Sequence, residues 1–180
     1  MIKKFFSLLF FIGYCQFSFG QNLQDIHSLK LQFFSLGYNY EKVLGNQFTL
    51  NSELKINCLY GQRGNFFTDE KQEYWLISPS IGVEPRYYYN FDKRENKGKN
   101  ILHNAANYLS LSTTYYTGIS LGKNAEAIAN LEVIPMWGLR RNLGKRFFME
   151  CAIGVGAYTV NGKEWESTLG LDLGISYSLF

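Results

Sequence analysis

Between Phe48 and Tyr60 the chain alternates in polarity with few breaks. Phe48, Leu50, Leu54, Ile56, Cys58 and Tyr60 take the even positions, and Thr49, Asn51, Glu53, Lys55 and Asn57 the odd ones. Successive side chains of a strand point to opposite faces, so this stretch predicts a ribbon with one apolar side and one polar, charged side. The same period recurs along the chain. From Tyr74 to Phe91, Trp75, Ile77, Ile81, Val83, Tyr87 and Tyr89 oppose Ser78, Ser80, Gly82, Glu84 and Arg86, with Pro79 and Pro85 predicting local irregularity. Further ribbons run from Tyr108 to Leu121, Ala129 to Leu139, Phe147 to Ala157 and Thr168 to Phe180. The first β-like segment, Leu29 to Tyr40, changes phase: Leu29, Leu31 and Phe33 are odd, whereas Phe34, Leu36, Tyr38 and Tyr40 are even. A bulge near Phe33 and Phe34 accounts for that shift.

The spaces between ribbons carry turn chemistry. Gly45-Asn46 closes a hairpin onto Phe48, and Asn142 to Gly144 closes another between the fifth and sixth ribbons. Gln62 to Glu73 reads as a polar surface loop, Asp92 to Asn104 as a charged, solvated connection, and Asn161 to Glu166 as a further loop. No helical period of comparable length intervenes, so the fold class is all-β and antiparallel.

Two architectures fit such ribbons: a sandwich packing its apolar faces inward, and an up-and-down barrel presenting them to lipid. The polar phase here is rich in Gly, Ser and Asn with isolated charges, and aromatic residues gather near ribbon ends. Small residues relieve crowding inside a narrow cylinder, and interfacial aromatics mark membrane boundaries. Closure also removes the sheet edges that hydrocarbon does not tolerate. The pattern therefore favours a transmembrane β-barrel, and 180 residues suffice for eight strands of ~9 to 11 residues in a single domain.

The start of the chain supplies an address. Lys3 and Lys4 precede an apolar run from Phe5 to Tyr14, and Ser18-Phe19-Gly20 precede Gln21, as in a cleaved export signal over residues 1–20 with the barrel over 21–180. The apolar run is shorter than the ~20 residues of a spanning helix. Tyr14 stands before Cys15 where a lipoprotein signal has a small residue, which argues against lipidation. Lys3 and Lys4 belong to the leader, so the 18 basic and 15 acidic residues of the whole chain leave the remainder close to neutral, and nothing points to nucleic acid. Cys58 and Cys151 both fall on the apolar phase and are expected as small outward hydrophobes.

The leader, the hairpin YNYEKVLGNQFTLN at 38–51, the run EPRYYYNF at 84–91 and the terminal GLDLGISYSLF together resemble the small outer-membrane barrel proteins common in Bacteroidota. That resemblance implies an eight-stranded barrel in the outer membrane of a Gram-negative bacterium, surrounded by outer-membrane lipids. It also implies insertion by the barrel-assembly machinery, which reads a final strand ending in an aromatic residue. Phe180 is the candidate for that signal, although Ser178 stands where a second aromatic is usual and Tyr177 lies one place earlier. With Phe180 at the periplasmic end, seven ribbons put the chain start on the wrong side of an even-stranded barrel. Either Gln21 to Phe33 supplies an eighth strand, or that segment threads the lumen.

With the polar phase inward, the lumen holds Glu53, Lys55, Glu84, Arg86, Glu132, Arg140, Glu150 and Asp172. Buried charges persist when paired, so the expectation is a salt-bridged plug in a non-enzymatic monomer with a structural or interaction role and no cofactor. The alternatives are a narrow channel for small apolar molecules, which needs a lateral gap or a path through the lumen and would be marked by an apolar lumen patch, and a lipid-modifying barrel enzyme. For the latter the histidines are His27 and His103, one in the N-terminal segment and the other in a connection, so neither joins a triad. Carboxylates such as Glu132 and Glu150 on neighbouring strands could do acid/base work, but pairing with Arg86 or Arg140 is their commoner fate.

Overall fold

The computed structural model describes residues 23–65, 68–160 and 162–180, with side chains described for these except at positions 63–65 and 68–71. The leader read at residues 1–20 lies outside the described residues. Among the described residues nine strands follow one another: β1 (Ile26–Gln32), β2 (Ser35–Gly45), β3 (Phe48–Asn65), β4 (Thr68–Tyr87), β5 (Asn107–Tyr116), β6 (Leu121–Lys123), β7 (Asn130–Asn142), β8 (Phe147–Val160) and β9 (Trp165–Ser178). Each of the long strands pairs antiparallel with its neighbours, β9 returns to β1 (Leu29 opposite Tyr177), and an eight-stranded barrel closes. The short β6 stands outside that count and pairs with β4 at Trp75 to Ile77, beyond the top of β5.

The strands tilt strongly around the cylinder. A path from Leu29 through successive partners Tyr38, Leu54, Ile81, Tyr115, Leu131 and Thr159 arrives at Trp165, at the start of β9, whereas Leu29 itself pairs near the other end of that strand. That stagger is what closes a sheet of so few strands.

The phase change at Phe33 and Phe34 is a two-residue turn between β1 and β2, not a bulge. Gln32 and Ser35 face each other across it and point to the same side, so the parity of inward positions switches from even to odd, as a bulge would also make it do. The eighth strand is thus drawn from the Gln21 to Phe33 segment, and both described chain ends lie at the same rim as the connections at 46–47, 88–106 and 143–146. The stretch 62–73 is also corrected. β3 continues to Asn65 and β4 starts at Thr68, so two long strands project where a loop was expected. The third ribbon ends at Tyr87, and Phe91 instead opens the short helix α1 (Phe91–Glu95). Pro85 interrupts only the β5 side of its ladder, where pairing passes from Val83 to Arg86.

The connection 88–106 is more than a solvated link. Lys93, Lys97 and Lys99 are exposed, but Phe91, Ala105 and Ala106 are buried and close the barrel end beneath Tyr88 and Tyr108. The backbone of Asn104 is left-handed (φ 57°), a conformation asparagine tolerates, and its buried side chain donates to the Gln24 carbonyl at 2.9 Å. At the same rim Asp25 accepts from Lys42 (2.5 Å) and from the Val43 amide (2.8 Å). Burial alone would raise the Asp25 carboxyl, but these two donors outweigh it and hold it below the usual carboxylate range.

Glycines on the inward phase make room for the larger interior side chains. Gly154, Gly156 and Gly170 surround Ile134 and Met136, and Gly138 lies directly against the Tyr108 ring opposite it on β5. Gly138→Val is expected to drive a branched side chain into that ring. It should cost about 1–3 kcal/mol, read as a lower urea midpoint for the barrel refolded in detergent micelles.

Candidate functional site: the charged interior

The alternation places the charges inward and the hydrocarbon outward. Arg86 on β4 is 2% exposed, Glu41 on β2 1% and Lys30 on β1 2%, whereas Leu169 on the outer face of β9 is 79% exposed. Ionised side chains tolerate this only in company. Glu150 of β8 supplies most of it. One of its oxygens accepts from Arg86 Nη1 (2.8 Å) and Arg140 Nη2 (2.9 Å), and the other lies 3.2 Å from Lys30 Nζ. Glu41 is the second anchor. It takes Arg140 Nη2 at 2.6 Å on one oxygen, and the hydroxyls of Thr49 (2.7 Å) and Tyr88 (2.8 Å) on the other. Arg86 also donates to Glu84, and Lys30 reaches Asp172 at 2.5 Å.

Aromatic faces complete the enclosure. The Arg86 guanidinium lies 4.8 Å from the Tyr108 ring centre, and that of Arg140 lies 4.7 Å from Phe148. With Tyr88, Phe91 and Ala106, these groups fill the barrel at the rim that carries the chain ends. No family model, curated protein or solved structure matches the chain.

Of the interior charges read from the alternation, Glu84, Arg86, Arg140, Glu150 and Asp172 join this single network. Glu53 and Lys55 form a separate pair at 2.9 Å, nearer the opposite rim. Glu132 is also apart, hydrogen-bonded to Tyr116. Two members were missed, Lys30 and Glu41, because the parity switch at Phe33 and Phe34 hid their phase. The alternation of Ser28, Lys30 and Gln32 against Leu29 and Leu31 was the available signal. An apolar interior patch of Ile134, Met136 and Ala152 was missed too; the facing run of inward glycines foreshadows it.

Each histidine is held by an aromatic face and a neutral polar partner. His27 stacks on Tyr40 and bonds the Tyr38 hydroxyl at 2.6 Å, while His103 stacks on Phe148 and bonds Asn142 at 2.9 Å. Among the described residues no group of three His, Cys, Asp or Glu side chains is placed to hold a metal ion. Cys58 and Cys151 are free thiols on β3 and β8, which are not neighbours in the sheet. Phe180 extends past the end of β9, 94% exposed, with its ring edge-on to His27.

Between the network and the far rim lies a chamber. A cavity of about 100 Å³ is lined by Lys30, Glu53, Lys55, Glu84 and Glu132 with Ile134 and Met136 at its wall. The interior is therefore a cup, closed at the rim of the chain ends and polar above.

Proposed function

We propose that this chain is a non-enzymatic barrel of a Gram-negative outer membrane, of the small Bacteroidota type, whose charge-filled interior blocks passage and whose role in the envelope is structural or interactive. The observation that carries the proposal is the inversion of burial: paired Arg, Lys and Glu inside, and an outer wall of exposed Leu, Ile, Val and aromatics. Water gives no reason to expose so continuous an apolar surface, whereas hydrocarbon does. Two aromatic girdles support the same setting. Phe48 stacks on Tyr87 and Phe147 packs on Tyr177 near one rim, while Tyr60, Trp75 and Trp165 stand toward the other.

In this reading the leader directs export, the chain acts as a monomer among outer-membrane lipids, and the barrel-assembly machinery engages the last strand through Phe180. The rim of the chain ends faces the periplasm. The aromatic and asparagine partners of His27 and His103 support a barrel without catalysis. The closed lower half sets an electrical expectation: reconstituted in planar bilayers, the protein gives little conductance. Large, reproducible single-channel steps would reject the sealed interior.

A passage for small apolar molecules is the second reading. The Ile134 and Met136 patch favours it, but the network below offers such a molecule no dry path to the other rim.

A further inference from the structure

The wall of the barrel is not of even height. β1 and β2 end at a turn of two phenylalanines, while β9 continues to Trp165 and β3 to Asn65. Pairing of β9 with β1 stops at Gly174, and pairing of β2 with β3 stops at Asn57, with one further bond from the Cys58 amide to the Phe34 carbonyl. Above that turn, among the described residues, no strand stands between β3 and β9. The opening is two strands wide, roughly 14 Å between the flanking strands. On the β9 side its floor lies level with Gly174, closer to the Ser178 end than to Trp165, so in the bilayer setting the opening extends from the half of the hydrocarbon nearer the chain ends up to the far rim.

The composition of the slot is two-faced. A cavity of about 480 Å³ joins outer-wall residues Phe33, Phe34, Leu59 and Leu171 to the interior groups Lys55, Asn57, Ser78 and Tyr116. From its floor an apolar groove of about 540 Å³ runs down the outer wall between Leu31, Met149, Leu173 and Ile175. Phe33 and Leu173 line both spaces, so the two adjoin. The turn itself points the same way: a hairpin tip in water favours Gly, Asn or Asp, and Phe33 and Phe34 are instead 77% and 67% exposed.

Resting on the membrane reading above, we infer that this slot and groove bind a single-chain amphiphile with an uncharged, hydroxyl-bearing head, of the monoacylglycerol class. Unpaired strand edges and interior amides facing hydrocarbon are costly, and a polar head relieves them where an alkyl chain alone does not. Among the described residues Lys55 is the one charged side chain lining the slot, and Glu53 already neutralises it. The Asn57 amide already donates to Ser78 and Ser80, which leaves hydroxyl groups and the open strand edges to recognise the head. The tail follows the groove beside Leu31 and Ile175 toward Leu143 at the rim of the chain ends, with the head in the slot on the side of the far rim. The volumes suit a lipid-sized ligand.

The test uses the full mature chain in phospholipid vesicles with two photoactivatable probes: a palmitoyl-length monoacylglycerol carrying a diazirine near the head, and an alkyl diazirine without a head. After irradiation, labelled peptides are mapped by mass spectrometry. The inference expects the monoacylglycerol to label residues 33–36, 55–59 and Tyr116, and the headless probe to label the outer wall at Ile153, Val155 and Leu109 without reaching Asn57 or Tyr116. Asn57→Trp, which fills the slot, is expected to cut slot labelling at least about tenfold, equivalent to ~1.4 kcal/mol of affinity, with outer-wall labelling unchanged. Slot labelling equal for both probes, or monoacylglycerol labelling confined to the outer wall, overturns the inference and leaves the membrane reading standing. Absence of headless-probe labelling on the outer wall overturns the membrane reading itself.

Discussion

Glu150→Leu is expected to lose about 3–5 kcal/mol of stability, because a buried ion network broken by removal of one member leaves its counter-charges uncompensated. The affected groups are named by the geometry. Arg86 and Arg140 share one Glu150 oxygen, and Lys30 stands by the other, all three cations being almost without solvent. Glu41, Glu84 and Asp172 remain, but Glu41 is already engaged by Arg140, Thr49 and Tyr88, and Glu84 reaches Arg86 alone of the three cations. The measurement is urea unfolding of the refolded protein in micelles, followed by the gel shift between folded and heat-unfolded forms. Glu132→Gln is the matched comparison. Glu132 belongs to no ion pair of the central network and Gln keeps a partner for Tyr116, so its effect should stay within ~0.5 kcal/mol. Equal losses for the two variants would show that the network is not what holds the interior together.

The second large effect belongs to the outer wall. Ile153 on β8 is 57% exposed, between Trp137 and Leu171 on the adjacent strands. In water, Ile153→Arg at so exposed a position would be nearly neutral. In a bilayer it places a guanidinium near the middle of the apolar band, and the expected cost is ~2–4 kcal/mol. Reversible folding into lipid vesicles, with denaturant titration of wild type and variant, reads the difference. A variant as stable as the wild type contradicts a hydrocarbon environment at that position.

Strand identity and facing were legible wherever polarity alternated without interruption, as in Phe48 to Tyr60, Phe147 to Ala157 and the closing ribbon. One side chain in two had to be inward, and the ionised set was the one that a closed cylinder could pair. Arg86, Arg140 and Glu150 were therefore identifiable as interior groups from position alone. Lys30 and Glu41 were not, for a physical reason. A two-residue hairpin and a one-residue bulge both shift the parity of a strand pattern, and Phe33-Phe34 carries none of the glycine or asparagine that usually announces a tight turn. Gln62 to Glu73 misled in the opposite way. Strands that rise beyond an apolar band have no need of an apolar face, so their polarity imitates a loop.

The slot lay beyond reach of the pattern altogether. It depends on the relative heights of β1, β2, β3 and β9, which follow from register and stagger and not from the character of any one residue. The apolar patch at Ile134 and Met136 breaks the binary rule locally, and only the glycines opposite, on β8 and β9, explain how it fits.

The most direct test of the account places single nitroxide labels, one at a time, at positions 147–157 of β8 in vesicle-reconstituted protein, and compares collision with oxygen against collision with a water-soluble nickel chelate. Phe147, Met149, Cys151, Ile153 and Val155 are expected to report high oxygen and low nickel access, and Glu150, Ala152 and Gly154 little of either. Ready access of the nickel chelate to the odd positions would mean that water, not lipid, covers the outside of the barrel.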